Sequence, residues 1–329
     1  QGCYYNDDVP ADAAGPCGKV WTGCKATAIA QIMKYHQHPT NGWGSNTYSS
    51  SYGSLSADFS TANFDWASMP DNLSSANSEV AKLMYHVGVS TDMIYGPSAS
   101  NAFFGVELLK QNFKYSLSAT GAPLDITDTE KEDLFISELD AGRVVFVRAI
   151  WGNHFYVVDG YQTSPLEFHC NFGWGGAYNG YYDLHNIDLI GHDLTPAGVI
   201  YGIKPLEDIE VTDSVSISSY AGSGSFELSS LNAWTVTSDQ GWATPNLTSG
   251  GEGYYGYLDG MLVNVTENIS YAPRVATLTF DDGSVTKTLT VTQQGVTPQL
   301  SLGYGESNIT YSSAGGSETI TITTDSNWV

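Results

Sequence analysis

Basic residues are scarce in this chain: 12 Lys plus Arg stand against 35 acidic residues over 329 positions, a formal charge of −23. No basic patch is left to neutralise phosphates, which argues against nucleic acid or an anionic membrane as a partner. No run of about 18 apolar residues occurs, so no transmembrane segment is expected. No charged-then-apolar leader opens the chain either. Gln1 begins directly in polar, turn-rich sequence, as a processed or trimmed chain does. Cysteine is confined to Cys3, Cys17, Cys24 and Cys170, with no spacing that suits a metal, so neither metal nor cofactor is expected. The one short-range pair is Cys3 with Cys17, open to a disulfide or to two small apolar fillers. What is plentiful is Tyr, Ser, Thr and Gly, with 41% hydrophobic and 12% aromatic residues. That composition suits packed globular structure rather than disorder, and with so little Lys it suits a secreted or cell-surface bacterial protein. The length exceeds one ordinary core and predicts two units or slightly more.

Residues 1–20 read as loop, punctuated by Pro10, Gly15-Pro16 and Gly18. From Cys24 onward Ala26, Ile29, Ala30 and Met33 recur at helical spacing, with Thr22 or Gly23 as cap and Pro39 as stop. Residues 40–75 are Ser/Gly/Tyr-rich and predicted irregular. Further helices are expected over Ser78–Val87 with Gly88 as stop, Ser100–Phe113 and Thr129–Ala141. Then the pattern changes to short β-branched and aromatic runs: Arg143–Ile150, His154–Tyr161, Leu166–Phe172, Gly180–Leu184 and Val199–Ile203. Helices first and antiparallel strands later predict an α+β unit over 1–205. Beyond about 208 helical periodicity vanishes, and a β-sandwich of roughly 90 residues is expected over 206–296. Its Asp281-Asp282-Gly283 reads as a hairpin turn. Gly222 to Trp234 realigns with Gly316 to Trp328, so 297–329 reads as the truncated start of a second sandwich.

Cys24 sits where a helix begins. There the partial positive charge and open N–H groups of the first turn lower a thiol's pKa. Histidine and amide side chains follow at His154 and Asn171. This order, at separations of about 130 to 150 residues, resembles that of papain-like peptidases. The segment Gly23-Cys24-Lys25-Ala26-Thr27-Ala28-Ile29-Ala30-Gln31-Ile32-Met33-Lys34-Tyr35-His36 resembles the nucleophile segment of the streptopain family. Asn153-His154-Phe155-Tyr156-Val157-Val158-Asp159-Gly160-Tyr161 is similar to that family's histidine strand. His169-Cys170-Asn171-Phe172-Gly173-Trp174-Gly175-Gly176, followed by Asn179-Gly180-Tyr181-Tyr182, is similar to its Asn-aromatic-Gly-Trp-Gly-Gly signature. Asp92 to Ser98 adds a fourth stretch.

The resemblance covers about 1–205. It implies a papain-like fold, secretion as a zymogen, protein or peptide substrates, and a cleaved propeptide that acts as inhibitor. Residue by residue it implies Cys24 as nucleophile, His154 as the base that becomes the acid, Asn171 as the orienter of the imidazole, and Trp174 as a wall of the site. An oxyanion would be held partly by the Cys24 backbone N–H. The Gln that papain-like enzymes place before the Cys is missing from Cys17-Gly18-Lys19-Val20-Trp21, so the second donor stays open. Cys170 alternates with Asn171 on a strand and is expected in the core. The remaining histidines (His36, His38, His86, His169, His185, His192) are read as packing or surface groups.

The 208–296 stretch resembles BACON-type Ig-like sandwiches through Trp234-Thr235-Val236-Thr237-Ser238, Trp242 and Val291-Thr292-Gln293-Gln294-Gly295. That resemblance implies a carbohydrate- or mucin-binding role, or that of a spacer. Trp242, Tyr254, Tyr255 and Tyr257 are the candidate sugar-stacking residues, with ordinary packing as the competing reading. Two other functions compete with the peptidase. One is a Cys-His-Asn acyltransferase or transglutaminase-like enzyme; the other is a catalytically inert adhesion protein.

Overall fold

The computed structural model describes residues 3–297 apart from 103, 152–153 and 257–259, together with 300–302 and 322–324. The first helix, α1 (Cys24–His36), starts at Gly23 and ends where Gln37 turns left-handed at φ 49°. Ala26, Ala28, Ile29, Ala30, Ile32 and Met33 are all buried, so this is a helix wrapped by protein on most sides. Each fully buried Ile or Met contributes about 1.5–3 kcal/mol, enough to outweigh a weak N-cap that has no side-chain hydrogen bond.

Helix α2 (Ser78–Ser90) packs against α1 and is capped by Asn77, whose side chain accepts from Val80 N–H. It runs through Gly88, the expected stop. A Cβ at Gly88 would lie 2.0 Å from the Tyr95 hydroxyl, so this glycine serves close packing rather than termination. Helix α3 is only Glu107–Phe113. The described residues of the expected first half, 100–102 and 104–106, are outside any helix, and Asn101 among them bridges to Ile94. Helix α4 (Asp128–Asp140) opens on a reciprocal Thr127–Glu130 capping box. Within 40–75 a hairpin forms, β1 (Ser45–Ser50) with β2 (Gly53–Asp58). Its Ser/Gly-rich, half-exposed strands carry little of the alternation that marks a strand in sequence.

The central sheet takes β3 (Thr120–Pro123), β4 (Val145–Ala149), β5 (Phe155–Thr163), β6 (Leu166–Asn171), β7 (Gly180–Tyr182) and, after the short hairpin β8 (Asp188–Leu189) and β9 (His192–Asp193), β10 (Pro196–Tyr201). Its order is β3-β10-β4-β5-β6-β7. All its pairs are antiparallel. Phe146, Phe155 and Val157 face α1, while Val145, Val147, Tyr156, Val158 and Cys170 face the α4 side with Phe135. Helices on both faces explain why β4 is buried along nearly its whole length.

Residues 209–291 enclose a separate core around Trp234, Phe226, Leu278, Phe280 and Val291. Strands 274–281 and 286–293 pair over eight positions across the Asp281-Asp282-Gly283 turn. There Asp282 accepts from the N–H groups of Ser284 and Val285. Strand 214–217 joins the same sheet in parallel with 290–293. Strand 261–265 pairs with 222–226 and 243–245 in a separate sheet, and the two sheets share the core as a sandwich. Of the expected second sandwich, the described residues include one pairing, 300–302 with 322–324. Gly316 and Trp328 lie outside the described residues.

Three of the aromatic residues proposed as a sugar-stacking face make contacts within the protein. The Arg274 guanidinium covers Trp242 at 4.2 Å, and Tyr255 meets Trp234 edge-on at 5.4 Å. The Tyr254 hydroxyl reaches Glu227 and Glu107. Tyr257 lies outside the described residues. Cys3 and Cys17 form a disulfide with Cα atoms 5.7 Å apart.

Candidate active site

The first turn of α1 is aimed at the start of β5. Gly23 holds φ 92°, and a Cβ there would come within 3.0 Å of Met93 Sδ, so glycine lets the chain turn sharply into the helix. The backbone N–H groups of Phe155, Lys25 and Cys24 itself point to the Cys24 sulfur. The Phe155 contact matters most for geometry, because Phe155 directly follows His154. Cys24 and His154 share one cleft of about 440 Å³, walled by Trp21, Trp151, Trp174 and the 98–101 segment. A second hollow of about 420 Å³ lies behind the 172–176 turn and touches Gln31, Asn171 and Gly173. Neither Cys24 nor His154 lines it.

Trp174 sits over the imidazole at 4.8 Å between ring centroids and stacks on Phe172 at 5.7 Å. That is the position expected of a wall. Asn171 is elsewhere. Its Oδ1 accepts from Gln31 Nε2 at 3.0 Å and from Gly173 N–H at 3.2 Å, whereas His154 Nε2 meets the Phe172 carbonyl at 3.1 Å. The expected Asn171–His154 contact is therefore corrected to Phe172–His154. Sheet parity is the cause. Asn171 pairs with Val157, on the α1 face, while His154 stacks beside Tyr156, on the α4 face. A carbonyl only accepts, so Nε2 carries the proton and Nδ1 is left as the basic nitrogen.

Gln31 is the residue the sequence reading missed. A lone polar residue in an apolar helical stripe was its only signal. Trp151, at the cleft rim and stacked on His192 at 3.6 Å, gave none. The stretch 17–21 contributes Trp21 to the cleft and no amide side chain. Cys170 is fully buried on the α4 side, as expected, and desolvation pushes its thiol up. Among the described residues no cluster of His, Cys, Asp or Glu could hold a metal ion.

Burial pushes the Cys24 thiol up, against the pull of its three N–H contacts. It also pushes the His154 imidazole down to about 4, while the Phe172 carbonyl acts the other way. Each charged form alone is disfavoured in this dry cleft. Only with thiolate and imidazolium charged together would each offset the other's cost, an attraction that the same dryness strengthens.

These shifts also set the acid limit of the fold. Burial brings His36 to about 4, and His38 and His86 are lowered too. An unfolded histidine protonates near 6.5. Between about 6.5 and 4 the unfolded chain thus binds more protons than the folded one, and stability falls as pH falls. His154 alone accounts for on the order of 3 kcal/mol at the acid end. The melting temperature should decline from neutral pH toward about pH 4.5, less steeply in a His154→Ala variant. A flat calorimetric profile across that window would contradict the burial of these rings as neutral groups.

Residues 1–182 match the profile of the peptidase C10 family, and residues 232–294 match BACON, a putative binding domain. Streptopain from Streptococcus pyogenes is 35% identical over 212 residues, which covers 56% of this chain and 52% of that protein. The thiol protease/hemagglutinin PrtT of Porphyromonas gingivalis is 30% identical over 226 residues, 62% of this chain and 26% of that protein. Among solved structures, active wild-type interpain A from Prevotella intermedia aligns with a TM-score of 0.55 and 30% identity, covering 61% of this chain and 89% of that one. The chain spans about half the length of the streptopain sequences it matches.

Proposed function

The chain belongs to the peptidase C10 family, and from that premise we propose that its cleft hydrolyses peptide bonds with Cys24 as nucleophile and His154 as base. The observation that carries this reading is the single cleft lined both by Cys24, at the start of α1, and by His154, just before β5. His154 Nδ1 takes the thiol proton, and the thiolate attacks the scissile carbonyl to form a carbon–sulfur bond. The Cys24 N–H is one donor to the resulting oxyanion. Collapse breaks the carbon–nitrogen bond as His154 protonates the leaving amine. Water, deprotonated by His154, then cleaves the thioester and returns the thiol. Trp174 over the imidazole limits water at the pair.

We assign Asn171 and Gln31 to positioning. Gln31 holds Asn171, Asn171 holds Gly173 N–H, and the turn so fixed presents the Phe172 carbonyl to His154. Asn171→Ala and Gln31→Ala should each lower kcat/KM by about tenfold. The double variant should lose less than the two combined, because both act through one turn. Fully additive losses in a double-mutant cycle would mean the two residues act separately.

We also propose a peptidase unit over 1–205, the sandwich over 206–296, and an extracellular location. The Cys3–Cys17 disulfide supports that location, since such bonds persist in oxidising compartments. No helix among the described residues is long and apolar enough to cross a membrane. For the sandwich, packing of Trp242, Tyr254 and Tyr255 within the chain ranks ahead of sugar stacking. Casein digestion followed by sequencing of products tests the activity. New amino termini, blocked by an epoxysuccinyl peptide, are expected; crosslinked products instead would indicate acyl transfer.

A further inference from the structure

We propose that the sandwich is a working part of the peptidase site: by clamping α3 it holds the 94–106 segment as a substrate wall, with Tyr254, Glu227 and Lys110 as positioning residues. This rests on the peptidase reading of the cleft. Ser98 to Asn101 line the same cleft as Cys24 and His154. One end of their segment is fixed to the nucleophile loop: Ser100 Oγ donates to the Trp21 carbonyl at 2.6 Å, and Trp21 N–H donates to the Gly96 carbonyl at 3.2 Å. Farther along, Phe104 lies parallel to Phe155 at 6.2 Å, with Arg148 above it. The segment then ends in α3.

Helix α3 has seven residues and no side-chain N-cap, too short to hold itself in water. One side buries Leu108, Leu109 and Phe113 in the peptidase core. On the other side, Lys110, with a side chain only 7% exposed, lies 3.6 Å from Glu107 and 3.5 Å from Glu227 of the sandwich. The Tyr254 hydroxyl bridges the same carboxylates, 2.7 Å from Glu227 and 2.9 Å from Glu107. Burial first, and then both carboxylates, keep that phenol protonated, so its one O–H is a donor shared between them at any ordinary pH. Charge-assisted bonds of this kind are the stronger ones. A spacer or a freely hinged binding module would have no use for them.

A second, independent contact allows a clean test. Glu210 accepts from Ser116 Oγ at 2.7 Å and Leu117 N–H at 2.7 Å, so removing the clamp does not by itself release the sandwich. The full-length chain carrying Tyr254→Phe, alone and with Glu227→Gln, is compared with the parent by hydrogen exchange, peptide kinetics and iodoacetamide alkylation of Cys24. Exchange over 94–113 should quicken and KM should rise by about three- to tenfold. The alkylation rate should stay within about twofold, since so small a reagent needs no wall. Unchanged exchange would overturn the clamp, and faster exchange with unchanged KM would overturn the wall. If the parent itself cleaves nothing, the peptidase reading fails, and exchange alone then decides the clamp.

Discussion

Cys24→Ala should yield a folded protein that no longer cleaves peptide bonds, with kcat/KM reduced by about 10⁴-fold or more, the scale of losing a covalent nucleophile. The structural penalty is small because one sulfur at the mouth of the cleft is exchanged for hydrogen. Its main structural effect is an acceptor lost to the Phe155 N–H, about 1 kcal/mol. Cys170→Ala is the matched control. That thiol is buried against the α4 side of the sheet, so its removal opens a small cavity and leaves catalysis intact. Casein cleavage by a well-folded Cys24→Ala protein would refute the assignment of the nucleophile.

Gly173→Val should cost about 10²-fold in kcat/KM, mostly in kcat. Gly173 sits at φ 72°, where a β-branched residue is strained, and a Cβ there would stand 2.9 Å from Thr27 Cγ2. Thr27 is on the turn of α1 that carries the nucleophile, and its hydroxyl is bonded to the Gly23 carbonyl at 2.9 Å. The substitution therefore pushes the nucleophile's turn and the Phe172 carbonyl apart, misplacing both members of the pair. Gly176→Ala separates this from general loop strain. Gly176 also has positive φ, 85°, but a Cβ there meets nothing within 4 Å. It should lose about 1–2 kcal/mol of stability and little activity. Equal kinetic damage from both variants would mean that the Thr27 contact is irrelevant.

Much of this site was legible because its signals are local. The periodicity of Ala26, Ile29, Ala30 and Met33 places α1, the Gly23 step places its start, and strand alternation sends Cys170 to the core. The partner of His154 was not legible. Whether Asn171 or Phe172 reaches the imidazole depends on the face His154 takes relative to β6. That is set by the β5–β6 register, with its bulge between Val158 and Gly160, a pairing made across space. Helix α3 was overcalled for a related reason. The residues before Glu107 suit a helix, but Ser100 is held by the Trp21 carbonyl and Phe104 by Phe155, contacts made across space. The contacts that Tyr254 and Tyr255 make within the protein were not legible either. Tyr254 finds one of its two carboxylates, Glu107, on α3, far away in sequence.

The rate of Cys24 alkylation by iodoacetamide as a function of pH, followed by mass spectrometry in the parent and in His154→Ala, addresses the shared proton most directly. The parent thiol should already be reactive at about pH 6, with that acidic limb lost once the imidazole is gone. Superimposable profiles, or a Cys24 no more reactive than the buried Cys170, would contradict it.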